Sequence, residues 1–129
     1  MPITSTYAAI LSLLYVFLSV RVVGLRRATG VGLTDGGNKL LLRRIRVHAN
    51  FAEYVPLAVI LMILAESQRG PAMVLHLVGI MLTAGRIVHA YGLSQEPEIV
   101  YCRTVGMALT FSSIVAGSIA DLALVGVLL

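Results

Sequence analysis

Long apolar stretches separated by short polar ones organise the chain. Four such stretches follow one another, at about residues 3–25, 44–67, 71–92 and 100–128. Residues 3–20 contain no Asp, Glu, Lys, Arg or His, and a run of about 18 such residues is long enough to cross a bilayer as a helix. Lipid offers the backbone N–H and C=O groups no hydrogen-bond partner. With only four segments, the chain can therefore cross a membrane only as helices. The pattern predicts an all-α integral membrane protein, a bundle of four spanning helices.

Turn-forming residues mark the connections between these stretches. The segment GVGLTDGG at 30–37 is typical of a loop, and SQEPE at 94–98 separates the third stretch from the fourth. Arg69, Gly70 and Pro71 end the second helix and start the third, with the proline expected in the first turn. At 129 residues, the chain is expected to form a single domain over residues 1–129.

Composition supports a membrane protein. The chain is 58% hydrophobic and 12% charged, whereas a soluble domain carries about 25% charged residues. Basic residues follow the first apolar run instead of preceding it, which favours a retained helix over a cleaved signal peptide. Cys102 is the single cysteine, so no disulfide can form within the chain. No metal site is expected.

Positive charge is concentrated beside one connection, the one between the first and second helices. Its basic residues are Arg21, Arg26, Arg27, Lys39, Arg43, Arg44 and Arg46, and Asp35 is the only acid among them. The positive-inside rule therefore predicts cytoplasmic loops at 26–43 and 93–99, with both termini outside. The net charge of +4 favours anionic lipid head groups as partners. No nucleic acid is expected, because no aromatic-basic surface pattern accompanies the charge.

A polar stripe marks the start of the second helix. Taking Arg46 as zero, Asn50 lies at about 40° and Glu53 at about −20° around an ideal helix. A polar stripe at membrane depth should face the protein interior or a water-filled cavity. Either Arg46 and Glu53 form a purely structural pair, or the stripe lines a pocket for a charged ligand.

Further arginines favour the ligand pocket. Arg86, late in the third helix, and Arg103, early in the fourth, are expected at the same cytoplasmic depth as the stripe. Arginine binds carboxylates with two parallel hydrogen bonds, and Glu53 suits a ligand amine. His89 is expected either in this pocket or at the membrane interface.

Several other residues are expected to have structural roles. His76 is expected to be packed, and Asp121 to lie solvated near the opposite membrane face. Four helical glycines are predicted to be points of close helix approach: Gly79, Gly85, Gly106 and Gly117.

Two segments resemble the MAPEG family, the membrane-associated proteins in eicosanoid and glutathione metabolism. RRIRVHANFAEYVPL at 43–57 matches the family's second-helix pattern Arg-x-x-x-Asn-x-x-Glu-Tyr-x-Pro, with Arg46, Asn50, Glu53, Tyr54 and Pro56 in place. GRIVHAYG at 85–92 is similar to the end of the family's third helix. The resemblance implies a homotrimer of four-helix subunits that binds glutathione between neighbouring subunits near the cytoplasmic side.

The resemblance also implies roles for individual residues. The residues implied to bind glutathione are Arg21, Arg46, Asn50, Glu53, Tyr54, Arg86 and His89. Arg103 is the implied catalytic residue, which stabilises the glutathione thiolate. Thr104 and Leu93 depart from the residues that the prostaglandin and leukotriene synthases of the family carry, which bears on eicosanoid specificity more than on glutathione binding.

The function expected from the resemblance is that of a membrane-bound glutathione transferase, with glutathione-dependent peroxidase activity as an additional capability. Glutathione would be the co-substrate, and a lipophilic electrophile or hydroperoxide the substrate. A non-catalytic lipid- or glutathione-binding member of the family is the alternative, although Arg103 argues for catalysis. A small multidrug transporter is disfavoured, because that class depends on a carboxylate in its first helix. The expected location is a bacterial inner membrane or an endoplasmic-reticulum-type membrane, with the active site towards the cytoplasm.

Overall fold

Four long helices make up the computed structural model, which describes the backbone of residues 1–128 and the side chains of residues 1–126. They are α1 (Pro2–Thr29), α2 (Lys39–Ser67), α3 (Ala72–Ser94) and α4 (Val100–Leu128). All four are long and apolar enough to cross a membrane, and no strand occurs within residues 1–128. The prediction of an all-α protein with four membrane-length helices is confirmed.

The helix ends near the first connection differ from the predicted boundaries. α2 begins at Lys39 and not at 44, because the side chain of Asn38 caps it by accepting a hydrogen bond from the backbone N–H of Leu41 at 3.0 Å. α1 continues to Thr29 and is ended by Gly30, whose φ of 70° lies in the left-handed region. The predicted loop 26–43 is therefore too long, and the connection covers only 30–38.

The third helix also begins differently from the prediction. Pro71 is the N-cap of α3 and lies just before its first turn, so placing it inside that turn was wrong. Its φ of −58° still suits the approach to a helix.

The helices form a bundle in which α2 and α3 occupy the middle. Each of these two contacts the other and both remaining helices, whereas α1 and α4 do not contact each other within the described residues. Apolar side chains from α1, α2 and α3 form the core between them: Leu11, Leu18, Val47, Phe51, Val55, Ala58, Leu82 and Ala90. The end that carries connections 30–38 and 95–99 is called the basic end below.

Glycines set the close approach of α3 and α4. A Cβ atom on Gly106 would lie 2.5 Å from the backbone N of His89, and one on Gly85 would lie 2.9 Å from the Gly106 carbonyl oxygen. Gly79 similarly faces the ring of Tyr7, and Gly117 faces Leu61. The predicted role of these glycines is confirmed, because a side chain at Gly85 or Gly106 would push the two backbones apart.

At the end opposite the basic end, α2 holds the start of α1. The carboxylate of Glu66 accepts hydrogen bonds from the backbone N–H groups of Ile3 at 3.1 Å and Thr4 at 2.8 Å. The hydroxyl of Thr4 donates to the Met62 carbonyl at 3.2 Å. A helix N-terminus has unpaired N–H groups and favours a negative charge, so Glu66 caps α1 from a neighbouring helix.

Two expectations about polar residues fail. His76 is exposed and not packed inside, and its Nδ1 lies 3.0 Å from the hydroxyl of Tyr7 on α1. Asp121 was expected to be solvated, but both of its carboxylate oxygens are covered and have no hydrogen-bond partner in the described part of the chain. Asp121 as a residue is half-buried, and the cover of its oxygens is a tertiary property that hydropathy does not reveal.

The predicted orientation has a direct test. The test uses two single-cysteine variants made in a Cys102→Ala background. Thr34→Cys places the cysteine in connection 30–38 at the basic end, and Ser5→Cys places it at the opposite end of α1. With the basic end in the cytoplasm, an impermeant thiol reagent applied to intact cells is expected to label position 5 and spare position 34. Labelling both positions after permeabilisation is the control. The reverse pattern in intact cells would overturn the orientation.

Candidate charged groove

The polar stripe predicted on α2 lies on one side of that helix. Nη2 of Arg46 is 3.8 Å from Oε1 of Glu53, and the two side chains are 54% and 50% exposed in the single chain. Asn50 and Tyr54 follow on the same side and are half-buried. Charged groups at membrane depth face protein or water and avoid lipid. In the single chain this charged side of α2 is half exposed, although the helix is long and apolar enough to cross a membrane.

Arg86 lies directly beneath the stripe. Its side chain is 1% exposed, its Nη1 donates to Oδ1 of Asn50 at 2.7 Å, and its Nε donates to Oγ1 of Thr110 at 3.0 Å. The guanidinium also lies 5.9 Å from the ring centroid of Tyr54. Arg86 thus links α3 to α2 and α4, and it orients Asn50 so that the amide N–H₂ group is left for another partner.

Two residues of α4 in this network were missed by the sequence analysis. Thr110 is fully buried and donates to the Gly106 carbonyl at 2.8 Å while accepting from Arg86. The sulfur of Met107 lies 3.3 Å from Nη2 of Arg86. Spacing could have revealed both, because positions 107 and 110 are i+4 and i+7 from Arg103 and share its side of a helix.

Arg103 lies at the start of α4 on the same side of the bundle. It lines a groove of about 420 Å³ together with Thr104, Met107 and Phe111. The ring of Phe111 meets that of Tyr54 edge-on, with 5.5 Å between centroids, so the groove borders the α2 stripe. Nη1 of Arg103 is 3.1 Å from a carboxylate oxygen of Glu98, a contact that the sequence analysis did not foresee.

His89 lies behind Arg103 and not in the groove itself. Its side chain is 3% exposed, and its Nδ1 is 3.2 Å from the Arg103 carbonyl oxygen. Its Nε2 has no partner among the described residues. Because Gly106 lets α3 approach closely here, His89 contacts the backbone that carries Arg103.

Arg21 does not join this surface in the single chain. It lies on α1, where its Nη1 donates to Oγ of Ser94 at 3.1 Å, and α1 is separated from α4 by the α2–α3 pair. The surface called the charged groove below comprises Arg46, Asn50, Glu53, Tyr54, Arg103 and Phe111, with Arg86 beneath it. No group of three or more His, Cys, Asp or Glu side chains that could hold a metal occurs in the described part of the chain.

The fold and this groove define a multi-pass integral membrane protein of four helices with a charged surface towards the basic end of the bundle. The model of the MAPEG family matches residues 4–123. The chain is 34% identical over 120 residues to the inner membrane protein YecN of Escherichia coli (strain K12), across 93% of this chain and 90% of that protein. The protein of the same name from Escherichia coli O6:H1 is similar to the same extent. The chain belongs to the MAPEG family, which confirms the resemblance seen in its second helix.

Proposed function

We propose that the protein is a membrane-bound glutathione transferase that activates the glutathione thiol for attack on lipophilic electrophiles. The observation that supports this most is the charged groove, in which a carboxylate, an amide, a phenol and guanidinium groups lie on adjoining sides of α2 and α4 near the basic end. Glutathione carries two carboxylates, an amine, two amides and a thiol. The charged groove offers a side chain that is complementary to each of these kinds of chemical group.

Each groove residue has a role that follows from its chemistry. Arg46 binds a glutathione carboxylate, and Glu53 binds the ammonium group. Asn50, with its oxygen already held by Arg86, donates its amide N–H₂ group to the peptide part of the ligand, and the Tyr54 hydroxyl does likewise. Arg103 on the neighbouring helix lies next to the sulfur. Arg86 is a positioning residue in this arrangement, since it is 1% exposed and holds Asn50 from below.

The chemistry requires a thiolate. An ordinary thiol has a pKa of about 8.5, so only a few per cent is ionised at neutral pH. Lowering that pKa by about two units takes about 2.7 kcal/mol, on the scale of a desolvated guanidinium–thiolate contact. The proton passes to water, and the thiolate forms a C–S bond while the leaving group departs with its electron pair. With a hydroperoxide, the O–O bond breaks instead, and two glutathione molecules become a disulfide as the alcohol and water form.

A homotrimer is part of the proposal, because the groove is open on one side. Arg46 and Glu53 are about half exposed in the single chain, at a depth where lipid would otherwise surround them. A neighbouring subunit that covers them would also enclose the ligand. The apolar helix surfaces beside the groove would hold the tail of a lipophilic substrate, which the membrane itself concentrates.

Glutathione binding should depend on the α2 pair. Arg46→Ala and Glu53→Gln are each expected to weaken binding by about 1–3 kcal/mol, through loss of a charge-assisted hydrogen bond. Isothermal calorimetry on the detergent-purified protein measures this directly. Lys39→Ala, which removes an exposed charge at the start of the same helix, is the matched control and should bind normally. Unchanged affinity in both groove variants would mean that the pair is purely structural.

A binding protein without catalysis is the second candidate. The contact between Arg103 and Glu98 at 3.1 Å favours it, because the guanidinium proposed to act on sulfur already has a carboxylate partner. Turnover of a model aryl halide and of a lipid hydroperoxide separates the two, since a binder would retain glutathione affinity without either reaction. The transporter alternative is not retained, because the chain belongs to the MAPEG family.

A further inference from the structure

A second groove lies across the bundle from the charged groove, between α1 and α3. It has a volume of about 300 Å³. Apolar side chains line its deeper part and polar ones the part nearest the basic end: Leu14, Phe17 and Ile87, then Arg21, Tyr91 and Ser94. The lining of the α1–α3 groove therefore changes from apolar to polar towards the basic end, just as a phospholipid changes from acyl chain to head group.

Arg21 at its polar end, and Arg44 of α2 bound to the Arg21 backbone, carry positive charge without a counter-charge. Arg21 donates to the Ser94 hydroxyl, and Nη1 of Arg44 donates to the Arg21 carbonyl at 2.9 Å. Nε of Arg44 is buried without a hydrogen-bond partner, and neither arginine forms an ion pair within the described side chains. The nearby Glu96 is bound to Arg43 at 3.1 Å. Two adjacent cations at a membrane surface attract an anion.

The depth of Arg21 matches the level of lipid phosphates. Residues 3–20 carry no charge, and about 18 helical residues span about 27 Å at 1.5 Å per residue, close to the hydrocarbon thickness of about 30 Å. α3 ends at Ser94, at the same level. Tyr91, 57% exposed beside it, is a residue type that concentrates at membrane–water interfaces. The cations therefore lie where the hydrocarbon region ends.

We propose that the α1–α3 groove binds one anionic phospholipid, with its phosphate held by Arg21, the charge of Arg44 adding to the attraction, and one acyl chain lying along Leu14, Phe17 and Ile87. A second copy of the chain is the competing occupant, and it offers little to neutralise the arginines. Each of its glutamates already has a partner: Glu53, Glu96 and Glu98 pair with arginines, and Glu66 caps α1. Asp121 lies towards the opposite end of the bundle, and Asp35 in connection 30–38 accepts from the Gly37 N–H at 3.0 Å. The proposal goes beyond the transferase function and does not depend on it, and it gives Arg21 a lipid phosphate in place of the glutathione that the family resemblance implies.

Lipid titrations monitored by native mass spectrometry test the proposal. The wild type is expected to bind phosphatidylglycerol at least tenfold more tightly than phosphatidylcholine of the same chain length. The double variant Arg21→Gln/Arg44→Gln should lose this preference, whereas Arg21→Lys, which keeps the charge, should retain most of it. Arg27→Gln removes an exposed arginine at the same end of α1, and this matched control should keep the preference within about twofold.

A groove-filling variant keeps the test decisive if the double variant fails to fold. Ile87 is 51% exposed and lines the apolar part, so Ile87→Trp should fold and reduce the affinity for both lipids at least tenfold. Equal affinity of the wild type for the two lipids, or an unchanged preference in the double variant, would overturn the proposal. So would displacement of the lipid by inorganic phosphate at equal concentration. Disulfide cross-linking between subunits through Ile87→Cys in a Cys102→Ala background would assign the groove to a second copy.

Discussion

Arg103→Ala is expected to lower the turnover of the purified protein by about 100-fold or more with glutathione and a model aryl halide. That is the scale on which losing one electrostatic stabiliser of a developing or reacting anion slows catalysis. Glutathione affinity should stay within about tenfold, a loss of about 1.4 kcal/mol at most, because Arg46 and Glu53 bind the rest of the ligand. An interaction that matters mainly once the thiolate forms affects rate more than binding.

Two further variants make the Arg103 result specific. The turnover of Arg103→Lys is expected to lie between those of the wild type and Arg103→Ala, because a point charge replaces the planar guanidinium group. Glu98→Gln removes the carboxylate that lies 3.1 Å from Arg103, and it should leave turnover equal or higher. Steady-state kinetics and calorimetry on the same preparations supply the rates and the affinities. Normal turnover in Arg103→Ala would refute the catalytic assignment and would make Arg86 the next residue to test.

Arg86→Ala is expected to cost about 3–5 kcal/mol of stability, because it removes a fully buried side chain and the hydrogen bonds of a charged group. The lost bonds include those to Asn50 at 2.7 Å, to Thr110 at 3.0 Å and to the sulfur of Met107 at 3.3 Å. Circular dichroism melting in detergent should show the largest fall in midpoint among the groove variants. Glutathione affinity should fall as well, since Asn50 is no longer held in place.

Arg86→Met separates packing from positioning. It fills most of the space without a buried charge, and such replacements often preserve stability. Thr110 keeps its hydrogen bond to Gly106 in this variant, so the midpoint should fall less than in Arg86→Ala. Glutathione affinity should nevertheless fall about as far in both, because neither side chain can hold the Asn50 amide. Full affinity in Arg86→Met would show that Arg86 does not position the ligand-binding residues.

The sequence was sufficient to predict the number of spans and the polar surface of α2. The apolar runs predict four helices because a bilayer demands about 20 apolar residues per span. The stripe of Arg46, Asn50 and Glu53 follows from helical periodicity. The family follows from that same short segment, whose polar residue types are rare at membrane depth.

The depth of Arg86 and the true start of α2 could not be predicted in the same way. The burial of Arg86 depends on the close approach of α3 and α4 at Gly85 and Gly106, and that register is a tertiary property. Residues 39–43, which include the charged Lys39 and Arg43, were assigned to the loop before the second apolar stretch. In the structure they belong to α2, which extends past the apolar region and is capped by Asn38.

The measurement that tests the proposed function most directly is an ultraviolet difference spectrum recorded as glutathione is added to the purified wild type. Binding in the charged groove next to Arg103 should produce the absorbance of a thiolate at neutral pH, saturating with the affinity found by calorimetry. S-methylglutathione, which has no ionisable thiol, should bind without producing that band, and Arg103→Ala should bind glutathione without it. A wild type that binds glutathione with no thiolate absorbance, or that does not bind it at all, would contradict the transferase proposal.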